Sequence, residues 1–187
     1  MWKDVNDLTL LRSLGVASRS RKPMVLSLVR WIPPIPTWLK VNADGAALGA
    51  LRPSGCGDVF LTSRGFVKGF FFHFIGDGCA YEVELWATIK VVKYAIRFWW
   101  QRIWIESDSM LAVAAHKNFS RDLTWRPISH WIECLDISWS LIFSVSHNYK
   151  EANSVADALS KRAIDERSLM WSFVSQYFCS PLDDSER

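Results

Sequence analysis

The 187-residue chain lacks several features that define common protein classes. Its four cysteines are too widely spaced for a C-x-x-C pair or a Cys/His zinc site, which indicates a reduced protein without a zinc module. No apolar segment follows Met1 as in a signal peptide, and the apolar run 98–105 is interrupted by Gln101 and Arg102. We therefore expect an intracellular protein, in the nucleus or the cytoplasm, with no membrane partner.

Neither positive nor negative charge is in strong excess. The chain has 22 Lys and Arg against 19 Asp and Glu, so its net charge is +3. This mildly basic balance permits a nucleic-acid partner without arguing for one. The composition is 50% hydrophobic and 14% aromatic, which excludes a disordered or low-complexity chain and fits one domain with a substantial core.

A proline-rich segment, Trp31-Ile32-Pro33-Pro34-Ile35-Pro36, marks a boundary near the N-terminus. Proline fixes the backbone dihedral φ and removes an amide donor, so this segment is an extended connector and not a helix. We assign residues 1–36 to a lead-in and linker, residues 37–166 to one domain and residues 167–187 to a C-terminal extension. We expect a monomer.

Hydrophobic periodicity predicts an α/β domain with a mixed five-stranded sheet flanked by helices. Lys40, Asn42 and Asp44 alternate with apolar residues, so the first strand is expected to end at Asp44 on its polar side. Four further strands are predicted over 55–62, 66–75, 102–107 and 141–149. Helices are predicted over 80–98, 110–117, 128–137 and 154–165.

Four acidic residues fall where these elements can bring them together: Asp44, Glu84, Asp108 and Asp157. Clustered carboxylates repel one another and resist desolvation, so metal cations usually neutralise such a cluster. Oxygen ligands suit Mg²⁺ or Mn²⁺, and two such ions about 4 Å apart can activate water and stabilise the leaving oxygen in phosphodiester cleavage. The set therefore predicts metal-assisted hydrolysis of nucleic acid.

Each acidic residue could also have a purely structural role. Glu84 could be a solvated helix residue like Glu82, although the two point about 200° apart on a helix and only Glu84 shares a face with small residues. Asp44-Gly45 could form a turn, Asp108 could cap a helix, and Asp157 could form a capping box with Ser154. If all four residues had only structural roles, their ordered occurrence would require four independent coincidences, so we favour a shared metal site.

Four segments that contain the acidic residues follow one another along the chain. They are Lys40-Val41-Asn42-Ala43-Asp44-Gly45, Val83-Glu84-Leu85-Trp86-Ala87, Glu106-Ser107-Asp108-Ser109 and the stretch from His147 through Asn153 and Asp157 to Leu159. In this order they resemble the motifs of the type 1 ribonuclease H domain. The resemblance is strongest to the reverse-transcriptase-associated domain of plant LINE-like retroelements, in which a Trp-x-Pro-Pro segment also precedes the first strand, and it covers about residues 31–163.

This resemblance implies a fold, a reaction and a set of roles. It implies cleavage of the RNA strand of RNA/DNA hybrids with two Mg²⁺ ions, for which Mn²⁺ can substitute, leaving 3′-hydroxyl and 5′-phosphate ends. Asp44 matches the ligand that bridges both ions, and Glu84, Asp108 and Asp157 match the other acidic positions. His147 matches a histidine that assists proton transfer from a loop. Asn153 matches an asparagine that braces this loop or the start of the following helix.

The sequence departs from the family pattern just before Glu84. Many members carry hydrogen-bonding residues there that hold a DNA phosphate and touch 2′-hydroxyls, whereas this chain has Cys79-Ala80-Tyr81. The chain also shows no polymerase motif. A second hypothesis is therefore a catalytically inactive, domesticated module that binds nucleic acid or a protein partner. A third is another two-metal nuclease or transposase of the same general fold.

Overall fold

The computed structural model of the protein describes residues 9, 13–15, 31–118 and 128–174. Within these residues the strands are β1 (Leu39–Ala47), β2 (Arg52–Leu61), β3 (Val67–Gly78), β4 (Arg102–Ser107), β5 (Ile142–His147) and β6 (Leu169–Phe173). The helices are α1 (Ala80–Arg97), α2 (Met110–Lys117), α3 (Ile128–Ser138) and α4 (Ser154–Glu166), with a 3₁₀ turn at Lys150–Ala152.

The six described strands form one mixed sheet in the order β5-β4-β1-β2-β3-β6. The first three strands make an antiparallel meander, whereas β4 and β5 run parallel to β1. The mixed α/β architecture is as predicted, but the sheet has a sixth strand instead of ending at five. The additional strand, β6, pairs antiparallel with β3 and lies within residues 167–187, which were expected to form a C-terminal extension.

The central strand β1 extends further than predicted. It continues to Ala47, so Asp44 lies inside the strand and not at its end. Its polar side is covered: the exposed fractions of Lys40, Asn42 and Asp44 are 0%, 4% and 3%. The alternation of polar and apolar residues therefore reflects two covered faces of different chemistry, with α4 packed against the polar face at Asp44.

Glycines bring the two main helices close to the sheet. A β-carbon on Gly45 would lie 2.5 Å from the backbone nitrogen of Glu84, so glycine is required where α1 crosses β1. On the other face, a β-carbon on Gly57 would overlap the backbone of α4 at Leu159 and Ser160. These two contacts place α1 and α4 on opposite sides of Asp44 and its strand.

The sixth strand completes an aromatic cluster on the α1 face of the sheet. The Trp171 ring lies 5.7 Å from Phe71, 4.3 Å from Tyr94 and 5.1 Å from Phe98, all in near-parallel stacking. Such stacking adds to the apolar area that these large rings bury. Although α1 has 18 residues, neither it nor another helix in the described part of the chain is long and apolar enough to cross a membrane.

Candidate metal centre

Three of the predicted carboxylates converge at one edge of the sheet. Asp44 lies near the end of β1, Asp108 directly follows β4, and Glu84 lies in the second turn of α1. Because β1 and β4 are parallel neighbours, their carboxyl ends share this edge. One ligand oxygen from each of the three side chains lies within 4.8 Å of the other two. Asp44, Glu84 and Asp108 are called the acidic triad below.

Glutamate 84, and not Glu82, belongs to the triad. The carboxylate of Glu82 accepts a hydrogen bond of 3.2 Å from the backbone N–H of Cys79, so it caps the start of α1. Glu84 lies on the side of α1 that crosses Gly45, and its Oε2 is buried without a hydrogen-bond partner in the described residues. The hypothesis that Glu84 is an ordinary solvated residue is therefore wrong.

Asp108 does not cap the helix that follows it. The N-cap of α2 is Ser109, whose Oγ accepts a hydrogen bond of 3.3 Å from the backbone N–H of Ala112. The capping hypothesis for Asp108 is wrong, and its Oδ1 is buried with no partner in the described part of the chain. The turn hypothesis for Asp44-Gly45 is wrong as well, since both residues belong to β1 and pair with Gly57 and Cys56 of β2.

Burial and mutual repulsion raise the pKa of two members of the triad, Asp44 and Glu84. Burial, partly offset by a hydrogen bond from Ser160, raises the pKa of Asp44 to about 6, and the charges of Asp108 and Asp157 add to the rise. Burial and the charges of Asp44 and Asp108 raise the pKa of Glu84 to about 9. At neutral pH Glu84 is therefore protonated. Buried carboxylate oxygens without partners, in a cluster that resists ionisation, fit a divalent cation that would replace the proton.

Asp157 lies on the first turn of α4 and is held by two lysines. Its Oδ1 is 3.2 Å from the Lys150 ammonium, and its Oδ2 is 2.5 Å from that of Lys161. Burial alone would raise the pKa of Asp157, but the hydrogen bonds from Lys161 and Lys150 outweigh it and hold the pKa below its usual value. The structure does not bring Asp157 into the acidic triad.

The capping-box hypothesis for Asp157 is wrong. The N-cap of α4 is Asn153, so Ser154 is already inside the helix. The side chain of Asn153 is directed elsewhere, because its Nδ2 donates to the backbone oxygen of Ala43.

Residues 42–163 match the family described as reverse transcriptase-like, and this span includes all four predicted acidic residues and His147. The chain belongs to the reverse transcriptase-like family. Over 150 residues it is 31% identical to a protein of Arabidopsis thaliana that carries a ribonuclease H name. That alignment covers 76% of this chain and 23% of the relative, so the chain spans about a quarter of the relative's length.

Solved structures share the fold of this reverse transcriptase-like chain. Ribonuclease H1 from Halobacterium salinarum has a TM-score of 0.62 at 23% identity, over 69% of this chain and 98% of that one. The LC11 ribonuclease H1, solved with an RNA/DNA hybrid, gives 0.62 at 20% identity with the same coverage. A foamy viral protease-reverse transcriptase, also with an RNA/DNA hybrid, gives 0.56 at 17% identity, over 75% of this chain and 22% of that one. The resemblance to type 1 ribonuclease H is thus confirmed.

His147 stands at the same edge of the sheet as the triad of this reverse transcriptase-like chain. It is the last residue of β5 and pairs in register with Ser107, the residue before Asp108. Its side chain is exposed, and its ring lies 5.7 Å from that of Tyr149. This position leaves the imidazole accessible to a substrate, and its part in proton transfer stays a prediction.

Two asparagines fix the segment between His147 and Asp157. Asn42 on β1 donates a hydrogen bond of 3.0 Å to the backbone oxygen of Ala152, and the buried Asn153 donates one of 2.9 Å to the backbone oxygen of Ala43. The brace expected of Asn153 is therefore present, and Asn42 supplies a second one that the sequence motifs did not indicate.

Ser160 is a further site residue that sequence reasoning missed. Its buried Oγ donates a hydrogen bond of 2.5 Å to Oδ2 of Asp44, which orients that carboxylate. Its position three residues after Asp157 on a predicted helix was a usable signal, because residues i and i+3 lie on neighbouring parts of one helix face. The residue type alone, a serine, does not indicate a role at the site.

Proposed function

We propose that this chain is a metal-dependent endonuclease of the ribonuclease H type that hydrolyses the RNA strand of RNA/DNA hybrids. The observation that carries the proposal is the acidic triad, whose oxygens lie within 4.8 Å and include two buried atoms without partners in the described residues. Two solved structures that share this fold, a ribonuclease H1 and a foamy viral protease-reverse transcriptase, contain RNA/DNA hybrids, which supports this substrate.

The triad would hold a divalent cation, with Mg²⁺ as the proposed ion and Mn²⁺ as a substitute. When bound, such a cation activates water and stabilises the leaving oxygen. Ser160 keeps the Asp44 carboxylate in place, and the asparagine braces hold the loop that carries His147. Water would attack phosphorus and lose one proton to solvent, the bond from phosphorus to the 3′ oxygen would break, and His147 would supply the proton that this oxygen takes up and recover one from solvent.

The two-ion form of this chemistry requires Asp157 as an additional ligand. Asp157 contributes to the electrostatic field at Asp44, so it lies near the triad although outside it. Both carboxylate oxygens of Asp157 are paired with lysines. A two-ion mechanism therefore requires that a lysine first leaves Asp157.

A strand-labelled hybrid tests the proposed function. With Mg²⁺ we expect cuts only in the RNA strand, and the Asp44→Asn variant should reduce cutting to background because it weakens the cation site. Asp165→Asn, an exposed carboxylate on α4, is the matched control and should cleave at the wild-type rate.

Three outcomes contradict the proposal in different ways. Equal cleavage by Asp44→Asn would reject the assigned site. Cutting of duplex DNA in place of the hybrid would favour a different nuclease of this fold. Salt-dependent binding of the hybrid with no turnover at high protein concentration would indicate the inactive binding module instead.

A further inference from the structure

The charges around the candidate metal centre are compensated on one side only. The acidic triad has no lysine or arginine ion pair among the described residues. Asp157, by contrast, is contacted by an ammonium group at each carboxylate oxygen. The acidic triad therefore has no cationic partner among these residues, whereas the neighbouring Asp157 already has two.

Lys150 is the lysine that links the two parts. Besides pairing with Asp157, its charge lowers the pKa of both Asp44 and Glu84, so the ammonium lies within electrostatic reach of the triad. Lys161 approaches Asp157 from the next turn of α4, in an i, i+4 pair on the helix surface.

The backbone of Lys150 is held at this place by the fold. Lys150 begins the 3₁₀ turn Lys150–Ala152, and the asparagine braces tie this turn and the start of α4 to β1. Its side chain is 66% exposed, so the ammonium can leave Asp157 for solvent without unfolding anything. Because its backbone is fixed and its ammonium is exposed, Lys150 can be displaced from Asp157 by another cation while the fold stays intact.

We propose that Lys150 is a built-in counterion that neutralises Asp157 and competes with a second divalent cation, so that the triad binds one ion tightly and a second ion only when the Lys150 ammonium is displaced. This inference rests on the proposed function, since it concerns the same centre. Asp157 then becomes a ligand only after the exchange. A low concentration of divalent ion would leave Lys150 in place, and a high one would displace it.

Titration with Mn²⁺ alone, followed by electron paramagnetic resonance and calorimetry, tests the exchange without nucleic acid. We expect wild-type protein to bind one Mn²⁺, and a second at least about tenfold more weakly. Lys150→Met should tighten the second site by about two- to fivefold, in line with the loss of one partly exposed ion pair. Adding Asp157→Asn to that variant should remove the second site.

Arg162→Met is the matched control. It also removes a cation from an i, i+4 pair on α4, but its partner is Glu166, and it should leave Mn²⁺ binding unchanged. Equal second-site affinity in Lys150→Met and Arg162→Met, or two equivalent Mn²⁺ ions in wild type, would overturn the role of Lys150. A protein that binds no Mn²⁺ at all would instead remove the proposed function, so the two failures are distinguishable.

Discussion

At the scale of single residues, the chain buries more carboxyl groups than the candidate metal centre uses. Asp58 on β2 is fully buried, and neither of its oxygens has a hydrogen-bond partner among the described residues. Burial, together with the charges of Asp44 and Glu84, raises the pKa of Asp58 well above its usual value. Folding therefore disfavours ionisation of Asp58 relative to the unfolded chain.

Replacing Asp58 by asparagine should stabilise the protein increasingly as the pH rises. A carboxyl group whose pKa is raised by folding favours the unfolded state above its unfolded pKa, near 3.8, and asparagine stays neutral at every pH. We expect the two proteins to be about equally stable at pH 3.5. Between the unfolded pKa and the raised pKa of the folded state, the gain of Asp58→Asn in urea-induced unfolding should grow by about 1.4 kcal/mol per pH unit, because only the wild-type protein takes up a proton on folding.

Asp165→Asn controls for the loss of one negative charge on the surface, because Asp165 is exposed on α4. Its unfolding free energy should follow that of wild type across the pH range. A stability difference between Asp58→Asn and wild type that is independent of pH would contradict a protonated, buried Asp58.

The motifs identified the acidic residues, but only the geometry could show how they are neutralised. Asp44, Glu84 and Asp108 converge as expected because the C-terminal half of β1, the start of α1 and the end of β4 meet at one edge of the sheet. The pairing of Asp157 with Lys150 could not be read from the sequence. It depends on the 3₁₀ turn between them, and surface lysines reach many partners.

At the scale of elements, the end of α1 has an unusual residue at its C-terminal cap. Trp99 adopts φ of 57°, the left-handed conformation that glycine favours. The backbone N–H of Trp99 donates to the backbone oxygen of Ile96, and that of Trp100 donates to the backbone oxygen of Ala95. This is the hydrogen-bond pattern of a Schellman motif. The Trp99 side chain is 86% exposed and so contributes little burial to offset the strain.

Trp99→Gly should raise the free energy of unfolding by about 1 kcal/mol, because it relieves the left-handed backbone and removes few contacts. Chemical denaturation measures the change directly. Trp99→Ala keeps a β-carbon in the same conformation and should gain little. An equal gain in both variants, or a loss in the glycine variant, would show that the Trp99 ring and not the backbone determines the effect.

Element prediction succeeded where hydrophobic periodicity was long and failed where it was short or ambiguous. The 18-residue helix α1 was expected from its lack of Gly and Pro. The five residues of β6 show no clear alternation, and their pairing with β3 depends on contacts of Trp171 with distant rings. The period of two in β1 was right, but periodicity cannot say whether solvent or another helix covers the polar face.

At the scale of the whole molecule, a buried lysine connects the proline-rich segment to the sheet. The Lys40 ammonium lies 4.8 Å from the ring of Trp31 and 4.5 Å from that of Trp104, and it donates to the backbone oxygen of Ile32. It also pairs with Glu106 at 2.8 Å, with the lysine side chain fully buried. Asn148, next to His147, donates to the same Glu106 carboxylate at 2.7 Å.

Lys40→Met should destabilise the protein by about 3 kcal/mol or more, because it leaves the buried Glu106 carboxylate without its cation. Thermal and urea unfolding measure the loss. The double variant Lys40→Met, Glu106→Gln removes the unpaired charge and should recover most of the stability. A double variant as unstable as the single one would show that packing of the lysine stem between the two indoles, and not the ion pair, makes the contribution.

The position of Trp31 indicates where a reporter or tag can be attached away from the acidic triad. Trp31 lies beside Gly65 in the turn between β2 and β3, at the end of the sheet opposite the carboxylates. From Lys40 to Asp44, β1 advances about 13 Å at roughly 3.3 Å per residue. A fluorescent reporter or an immobilising tag joined directly to Trp31 would therefore be attached at the end of the sheet away from the acidic triad.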